Sequence, residues 1–307
     1  MNEKYLVTAC ITTYNRPVYL NQALESVVGQ TYDNLEILIM DDCSTDIEVE
    51  QVVKRFKEND KRIIYIKQNE NKGVEYNFNL ALKEAKGKYI LWLCDDDWLE
   101  ADYIQKCFQY KLENPFYETV YGSTMFYEGE KFAFYGAEIT VEEETPFTRV
   151  LSFYDKQLGT ANCPNFGIIE IDRIKNIPLK RILGHDNVWM GNIAFQGKIK
   201  MLNSTYIHRR LGGSSDSLVK SAATFNYSFF ERYFSFIALF KNILFDVAWE
   251  SPVYKSLGLF KRLSLAFCIT VLISRNLFKY LMRYKKTRPR TYSESNSKKV
   301  LSLSKES

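Results

Sequence analysis

The first 100 residues alternate between short apolar runs and segments whose apolar residues recur every three or four positions. Short continuous apolar runs are typical of strands buried on both faces, and the second pattern is typical of helices. The alternation therefore predicts an α/β fold with a Rossmann-like, mostly parallel sheet flanked by helices. The predicted strands are 5–12, 35–40, 62–66 and 89–94, and the predicted helices are 18–30, 47–59 and 74–85.

Beyond residue 113 the pattern is mixed, with strand-like segments at 119–126 and 198–202 and a helix near 188–195. After Ser221 the chain is aromatic-rich with a helical period, and it ends in a serine- and lysine-rich tract typical of disorder. We therefore expect two halves of one domain, a C-terminal helical extension and a disordered tail. Their ranges are 1–113, 114–221, 222–286 and 287–307.

Polar clusters follow the predicted strands, and ligands of such sheets collect beyond the carboxyl ends of the strands. Asp95-Asp96-Asp97 follows the fourth strand, and three adjacent carboxylates there repel one another unless a cation neutralises them. Hard divalent cations such as Mg²⁺ or Mn²⁺ prefer oxygen ligands. The alternative is a solvated acidic turn. After the second strand, one carboxylate of Asp41-Asp42 can accept the N3–H of a uracil, and Ser44 or Asp46 can cap the next helix.

Four motifs in order resemble the inverting glycosyltransferases of family 2, which have the GT-A fold. They are Ile11-Thr12-Thr13-Tyr14-Asn15-Arg16-Pro17, Asp41-Asp42-Cys43-Ser44-Thr45-Asp46, Asn71-Lys72-Gly73 with Asn79, and Asp95-Asp96-Asp97. The resemblance implies a nucleotide-sugar-binding half at 1–113 and an acceptor-binding half at 114–221. It also implies Mn²⁺ or Mg²⁺ bound by Asp95 and Asp97. The donor-binding residues that it implies are Thr12, Tyr14, Asp42, Asn71, Asp95 and Asp96.

Gly184-His185-Asp186-Asn187-Val188-Trp189 resembles the acceptor-side acid motif of the family, so Asp186 takes the position of the general base. His185 stands where many members have Glu or Gly. The alternative for Asp186 is a helix cap. Further on, His208-Arg209 resembles a stretch that closes over the donor in some members. His208 could complete the metal site and Arg209 could contact the diphosphate, or both could belong to an ordinary surface loop.

The charge is uneven along the chain. The 41 basic and 37 acidic residues give a net +4, which is too weak to indicate nucleic-acid binding. Residues 275–307 contain ten Lys and Arg and two acidic residues, however, so the body is mildly acidic and the end is basic. The six cysteines show no C-x-x-C pair, and the N-terminus lacks the shape of a signal peptide. These features predict free thiols and a cytoplasmic protein.

Residues 263–274 are uncharged but too short to span the ~30 Å hydrocarbon core of a bilayer. A basic amphipathic helix here predicts a peripheral position on the anionic inner face of the cell membrane. The alternatives are a helix packed on the domain or against a second copy in a homo-oligomer. The polar face is Lys261, Ser264, Arg275, Lys279 and Arg283, and the apolar face is Leu263, Phe267, Leu277, Phe278 and Leu281.

The resemblance implies metal-dependent, inverting transfer of a sugar from a nucleotide-sugar, expected to be UDP-linked, to a growing glycan that is expected to be lipid-linked. A nucleotidyltransferase is one alternative, but its Gly-rich, basic phosphate loop is not found at residues 12–16. A non-catalytic glycan-binding protein of the same fold is the other.

Overall fold

A nine-stranded sheet organises the chain. The computed structural model describes residues 5–157, 164–213 and 218–287. The strands are β1 (Val7–Thr13), β2 (Leu35–Asp41), β3 (Ile63–Lys67), β4 (Tyr89–Cys94), β5 (Trp98–Leu99), β6 (Tyr117–Glu128), β7 (Lys131–Tyr135), β8 (Ile168–Glu170) and β9 (Lys198–Arg210). Their order in the sheet is β3-β2-β1-β4-β8-β6-β9-β5, with β7 paired to β6.

Helices cover both faces of this sheet. They are α1 (Pro17–Val28), α2 (Ile47–Asn59), α3 (Val74–Glu84), α4 (Tyr103–Glu113), α5 (Pro146–Gln157), α6 (Ile171–Ile174), α7 (His185–Gln196), α8 (Leu218–Thr224), α9 (Phe229–Tyr233), α10 (Ser235–Phe245) and α11 (Leu259–Thr287). The mixed α/β class predicted from the alternation is confirmed, and α2 and β4 have the predicted bounds. The last helix begins before and continues beyond the predicted segment 263–274.

The register of the parallel strands decides where the polar clusters meet. Thr12 of β1 lies opposite Met40 of β2 on one side and opposite Cys94 of β4 on the other. The loops that follow these three strands therefore leave the sheet at the same edge. The second half of the chain extends the same sheet, because β8 pairs with β4 and β6 pairs with both β8 and β9.

One aromatic stack joins the helices that carry candidate site residues. The ring of Phe78 in α3 lies flat on that of Trp92 in β4, with 4.0 Å between centroids. Trp189 of α7 meets the same indole edge-on at 5.5 Å. Because offset and edge-to-face aromatic contacts are favourable and geometrically specific, the stack holds α3 beside α7.

The C-terminal extension packs into the same core. Leu265, Ile269 and Ile273 of α11 are buried together with residues of α5 and α7, whereas Phe260 and Phe267 are 89% and 68% exposed. The helix thus has one buried and one exposed apolar stripe, whereas the sequence predicted a single apolar face opposite a polar one. None of the described helices is both long and apolar enough to cross a bilayer.

Some sequence predictions fall outside this description. The predicted face residues Leu277, Phe278, Lys279, Leu281 and Arg283 lie beyond the described side chains, and residues 288–307 of the predicted tail lie outside the described chain. The cysteines that the structure describes (Cys10, Cys43, Cys94, Cys107 and Cys268) are all free thiols, as expected.

Candidate active site

The loops after β1 and β2 are joined by one asparagine. Asn15 adopts a left-handed backbone conformation, with φ of 54°. Its side-chain oxygen accepts hydrogen bonds from the backbone N–H groups of Thr45 at 2.8 Å and Asp46 at 3.0 Å. Asp46 in turn accepts from the N–H of Glu48 and caps α2, which confirms the predicted cap.

The two aspartates after β2 have different surroundings. Asp41 is buried and accepts hydrogen bonds from the Tyr65 hydroxyl and the Ser44 N–H. The carboxylate of Asp42 accepts from the N–H groups of Lys72 at 2.8 Å and Gly73 at 2.9 Å. The loop of the third motif therefore fixes Asp42, and its Gly73 has a φ of 89° that disfavours other residues.

Each of the three clustered aspartates has a basic partner. The Thr13 hydroxyl donates to Asp95 at 2.8 Å. Arg16 lies 3.2 Å from Asp95 and 3.0 Å from Asp96. From the opposite side, the Nε of Arg209 donates to Asp97 at 3.0 Å.

These partners do not fully offset the rise in the aspartate pKa values that burial causes. Burial raises the pKa of Asp97 to about 7, and the charges of Asp96 and Asp95 add to this rise against the lowering effect of Arg209. Burial and the charge of Asp96 likewise raise the pKa of Asp95 to about 6, against Arg16 and Thr13. The cluster is thus short of positive charge at neutral pH, which is the condition that a bound cation relieves.

The donor atoms fit a hard divalent cation. Ligand atoms of Cys94, Asp96 and Asp97 all lie within 4.8 Å of one another. Burial and the charges of Asp97 and Asp96 raise the pKa of the Cys94 thiol, so it stays protonated and the carboxylate oxygens are the available ligands. The metal ligands predicted from the sequence are Asp95 and Asp97. In the structure the ligand atoms of Asp96 and Asp97 lie together, and the Asp95 carboxylate accepts hydrogen bonds from Thr13 and Arg16.

The structure does not bring the His208 ring to the aspartates. This imidazole stacks on Trp98 with centroids 5.0 Å apart. Its Nε2 lies 3.3 Å from a carboxylate oxygen of Glu100, and its Nδ1 lies 3.0 Å from the Tyr127 hydroxyl. Both ring nitrogens therefore face partners other than Asp97, and the metal-ligand role of His208 stays a prediction.

Asp186 lies in the first turn of α7 rather than at its cap. The cap position belongs to Gly184, and the Asp186 carboxylate accepts from the N–H and the side-chain amide of the next residue, Asn187. One Asp186 carboxylate oxygen thus satisfies a free backbone N–H of the first turn, and the other oxygen accepts no hydrogen bond from the described residues.

The remaining predicted donor residues line the same edge. Thr12 is half-buried at the end of β1, Tyr14 is 44% exposed in the loop that follows, and Asn71 is exposed before α3. Sequence reasoning gave no role to Thr13 or Arg16, although a basic residue directly after the central strand was a usable signal for a partner of the aspartates.

Solved structures have the same overall fold. TarS 1-349 of S. aureus in complex with UDP-GlcNAc matches with a TM-score of 0.62 and 19% identity, over 85% of this chain and 70% of that one. The mannosyltransferase PcManGT from Pyrobaculum calidifontis, in complex with GDP-Man and Mn²⁺, matches with a TM-score of 0.55 and 14% identity, over 97% and 81%. These matches confirm the predicted GT-A fold.

Sequence comparison identifies the family. The model of Glycosyl transferase family 2 matches residues 8–174. WfaP of Escherichia coli, a UDP-Glc:alpha-D-GlcNAc-diphosphoundecaprenol beta-1,3-glucosyltransferase, is 33% identical over 210 residues, covering 66% of this chain and 75% of WfaP. The chain covers only 14% to 44% of the length of four other relatives, at 32% to 39% identity. Because the family model matches more than half of the chain, this protein belongs to glycosyl transferase family 2.

Proposed function

We propose that this chain transfers a hexosyl or N-acetylhexosaminyl unit, with inversion, from a UDP-sugar to a lipid-linked glycan in cell-surface polysaccharide synthesis. The observation that carries the proposal is the meeting of Asp42, the aspartates 95–97 and two arginines at one edge of a family 2 sheet. The name of WfaP gives a UDP-glucose donor and a diphosphoundecaprenol-linked acceptor, and the TarS complex contains UDP-GlcNAc. Both favour UDP and a lipid-linked acceptor.

The donor roles follow from what each side chain offers. Asp42 has carboxylate lone pairs beyond those used by Lys72 and Gly73, so it can accept the N3–H of uracil. Thr12 at the end of β1, together with Tyr14 and Asn71 in loops at the same edge of the sheet, contacts the nucleoside. Asp95 and Asp96 bind the ribose and the diphosphate region.

Divalent metal suits the centre of this site. Asp96 and Asp97 would hold Mn²⁺ or Mg²⁺ together with the diphosphate, and the ion would supply Lewis-acid stabilisation of the departing UDP. The Arg209 guanidinium, which pairs with Asp97, would contact the diphosphate and stabilise the negative charge that develops on it.

Asp186 completes the reaction on the acceptor side. Its carboxylate takes the proton of the acceptor hydroxyl, and the oxygen then attacks the anomeric carbon from the face opposite UDP. The new glycosidic C–O bond forms as the bond to the β-phosphate oxygen breaks, and the electron pair leaves with UDP. A single displacement of this kind inverts the configuration.

Release of UDP tests the proposal. We expect the purified chain with Mn²⁺ or Mg²⁺ to release UDP from one UDP-sugar when a diphosphoundecaprenol-linked sugar is present, and to release much less without acceptor. CDP-sugars serve as donor controls, because N3 of cytosine carries no hydrogen that Asp42 could accept. Absence of nucleotide release from a full set of nucleotide-sugars and acceptors would contradict a transferase function.

We further propose that the C-terminal extension contacts the cytoplasmic face of the membrane. Aromatic side chains there are exposed although the chain also buries a complete apolar stripe, and basic residues such as Lys241 and Lys261 lie among them. Aromatic and basic side chains together suit an anionic bilayer surface. The exposed aromatic side chains include Phe229, Tyr233, Phe236, Trp249, Phe260 and Phe267.

Replacing Phe260 and Phe267 with serine should weaken binding to anionic lipid vesicles. Burying one such side chain contributes about 1.5–3 kcal/mol, so we expect at least a roughly tenfold loss per residue. Vesicle co-sedimentation measures this. Phe116→Ser removes an exposed phenylalanine that directly precedes β6, outside the C-terminal extension, and should leave vesicle binding unchanged. Unchanged binding of the double variant would contradict the membrane contact. A concentration-dependent wild-type dimer that the double variant abolishes would instead indicate a contact between copies.

A further inference from the structure

The turn that carries Asp186 is bound by the C-terminal extension. The backbone N–H of Leu183 donates to the Glu231 carboxylate of α9 at 2.9 Å. The backbone carbonyl of Leu183 accepts from the side-chain amide of Asn242 in α10 at 3.1 Å. Both backbone polar groups of this residue are therefore satisfied by side chains more than 45 positions later in the chain.

The next residue is packed against the same extension. Gly184 has a φ of 75°, and a Cβ added to it would lie 2.2 Å from the Cδ1 of Leu239 in α10. Any other residue would thus face both an unfavourable backbone conformation and a steric clash. The Leu239 side chain of α10 therefore packs directly against this turn.

His185 forms a third connection. Its Nδ1 lies 3.0 Å from the Tyr227 hydroxyl and 3.2 Å from a carboxylate oxygen of Glu75 in α3. The Tyr227 hydroxyl donates to the same Glu75 oxygen. Glu75 and Tyr227 are 4% and 6% exposed, so the three polar groups satisfy one another in a place that water hardly reaches.

The charges within this group agree with the geometry. Burial alone would lower the pKa of His185, but the hydrogen bond to Glu75 and the charges of Asp186 and Glu75 raise it overall. Burial would raise the pKa of Glu75, and the hydrogen bonds from His185 and Tyr227 lower it overall. Both shifts favour the charged forms of His185 and Glu75, in agreement with the 3.2 Å contact between the His185 Nδ1 and the Glu75 carboxylate.

We propose that the extension is part of the acceptor side of the active site, with Tyr227, Glu231 and Asn242 acting as positioning residues for Asp186. This inference rests on the proposed function, in which Asp186 is the base. A base is effective only when held within hydrogen-bond reach of the attacking hydroxyl, and a displacement of about 1 Å can cost up to ~100-fold in rate. Three contacts to the residues just before Asp186 supply that constraint.

Tyr227→Phe tests the inference because it removes only the hydroxyl. We expect kcat for transfer to fall by about tenfold, while the donor KM and the stoichiometry and Kd of UDP binding by calorimetry stay unchanged. In the Asp186→Asn background the same substitution should cost nothing further, because the positioned group is already lost. A merely structural role would add its full effect there. Asn242→Ala is a second variant with the same expected pattern should Tyr227→Phe fail to fold.

Tyr254→Phe is the matched control. Tyr254 is a fully buried tyrosine of the same extension whose hydroxyl has no hydrogen-bond partner among the described residues, so its loss should leave kcat unchanged. If wild-type protein transfers sugar, Asp186→Asn abolishes transfer and Tyr227→Phe turns over at the wild-type rate, the inference is overturned while the proposed function stands. A wild-type protein that transfers no sugar would overturn the proposed function itself.

Discussion

Replacing Asp97 with asparagine is expected to abolish metal-dependent UDP release and, at the same time, to stabilise the metal-free protein at neutral pH. Burial raises the pKa of Asp97 to about 7, well above the ordinary value of an aspartate. The folded state therefore favours the protonated carboxyl. The contribution of the protonated Asp97 carboxyl to the free energy of unfolding is fully present below about pH 4 and is lost as the pH rises through 7. Asparagine keeps an oxygen that can accept from Arg209 but carries no charge to bury.

Thermal unfolding in the presence of a chelator measures the first effect. A shift of one pKa unit corresponds to about 1.4 kcal/mol, so the gain at pH 7.5 should reach a few kcal/mol and should vanish near pH 4. Asp60→Asn is a control of opposite sign, because the hydrogen bonds from Arg62 lower the pKa of Asp60 and its charge is stabilising. A metal-free Asp97 variant that melts at or below the wild-type temperature at pH 7.5 would contradict the account of the cluster.

The loss of activity has a separate cause. Stabilisation of the departing diphosphate by a metal is worth several kcal/mol, so UDP release should fall at least about 100-fold. The measurement is UDP release at saturating Mn²⁺, with the Asp97 variant and wild type compared at equal protein concentration. Unchanged release would remove Asp97 from the metal site.

Asp186→Asn is expected to lower transfer by about 10²- to 10⁴-fold without changing donor affinity. The substitution preserves shape and keeps an oxygen for the Asn187 N–H, but it removes the proton acceptor. Calorimetric binding of the UDP-sugar should match wild type, because Asp42 and the aspartates 95–97 are untouched. A parallel fall in donor affinity and transfer would mean that Asp186 is structural.

The control for this variant is Asp172→Asn. Asp172 also lies in the first turn of a helix, α6, and its exposed carboxylate pairs with Lys175 three residues later. Exposed pairs of this kind contribute little to stability. Both donor binding and transfer should therefore stay at the wild-type level in this variant.

Local patterns predicted most of the first half of the fold. The helix α2 was predicted to the residue because an aspartate cap and a regular apolar stripe mark its start and length. The strand β9 was predicted only to 202, although it continues to Arg210. Asn203 and Ser204 read as a turn, but they lie where the register between β6 and β9 shifts, and the strand resumes after them.

The candidate site shows the same difference between local features, which the sequence predicts, and contacts between remote residues, which it does not. Motifs at the ends of strands predicted roles for Asp42 and the aspartates 95–97 because each motif is local, whereas the role predicted for Asp186, at the start of a helix, came from the family resemblance. The partners of these groups are remote in sequence: Arg16 lies 79 residues before Asp95, and Tyr227 lies 152 residues after Glu75. Nothing in the spacing of such pairs predicts contact.

The sequence by itself thus determined the order of the first seven elements, from β1 to β4, and the family, and it predicted the edge of the sheet where the candidate site lies. The tertiary structure decided which groups neutralise the aspartates, where the His208 ring points and how the extension contacts the turn before Asp186. The physical reason is that periodicity and turn chemistry act over a few residues, whereas these contacts depend on strand register and on the packing of Phe78, Trp92 and Trp189 between elements.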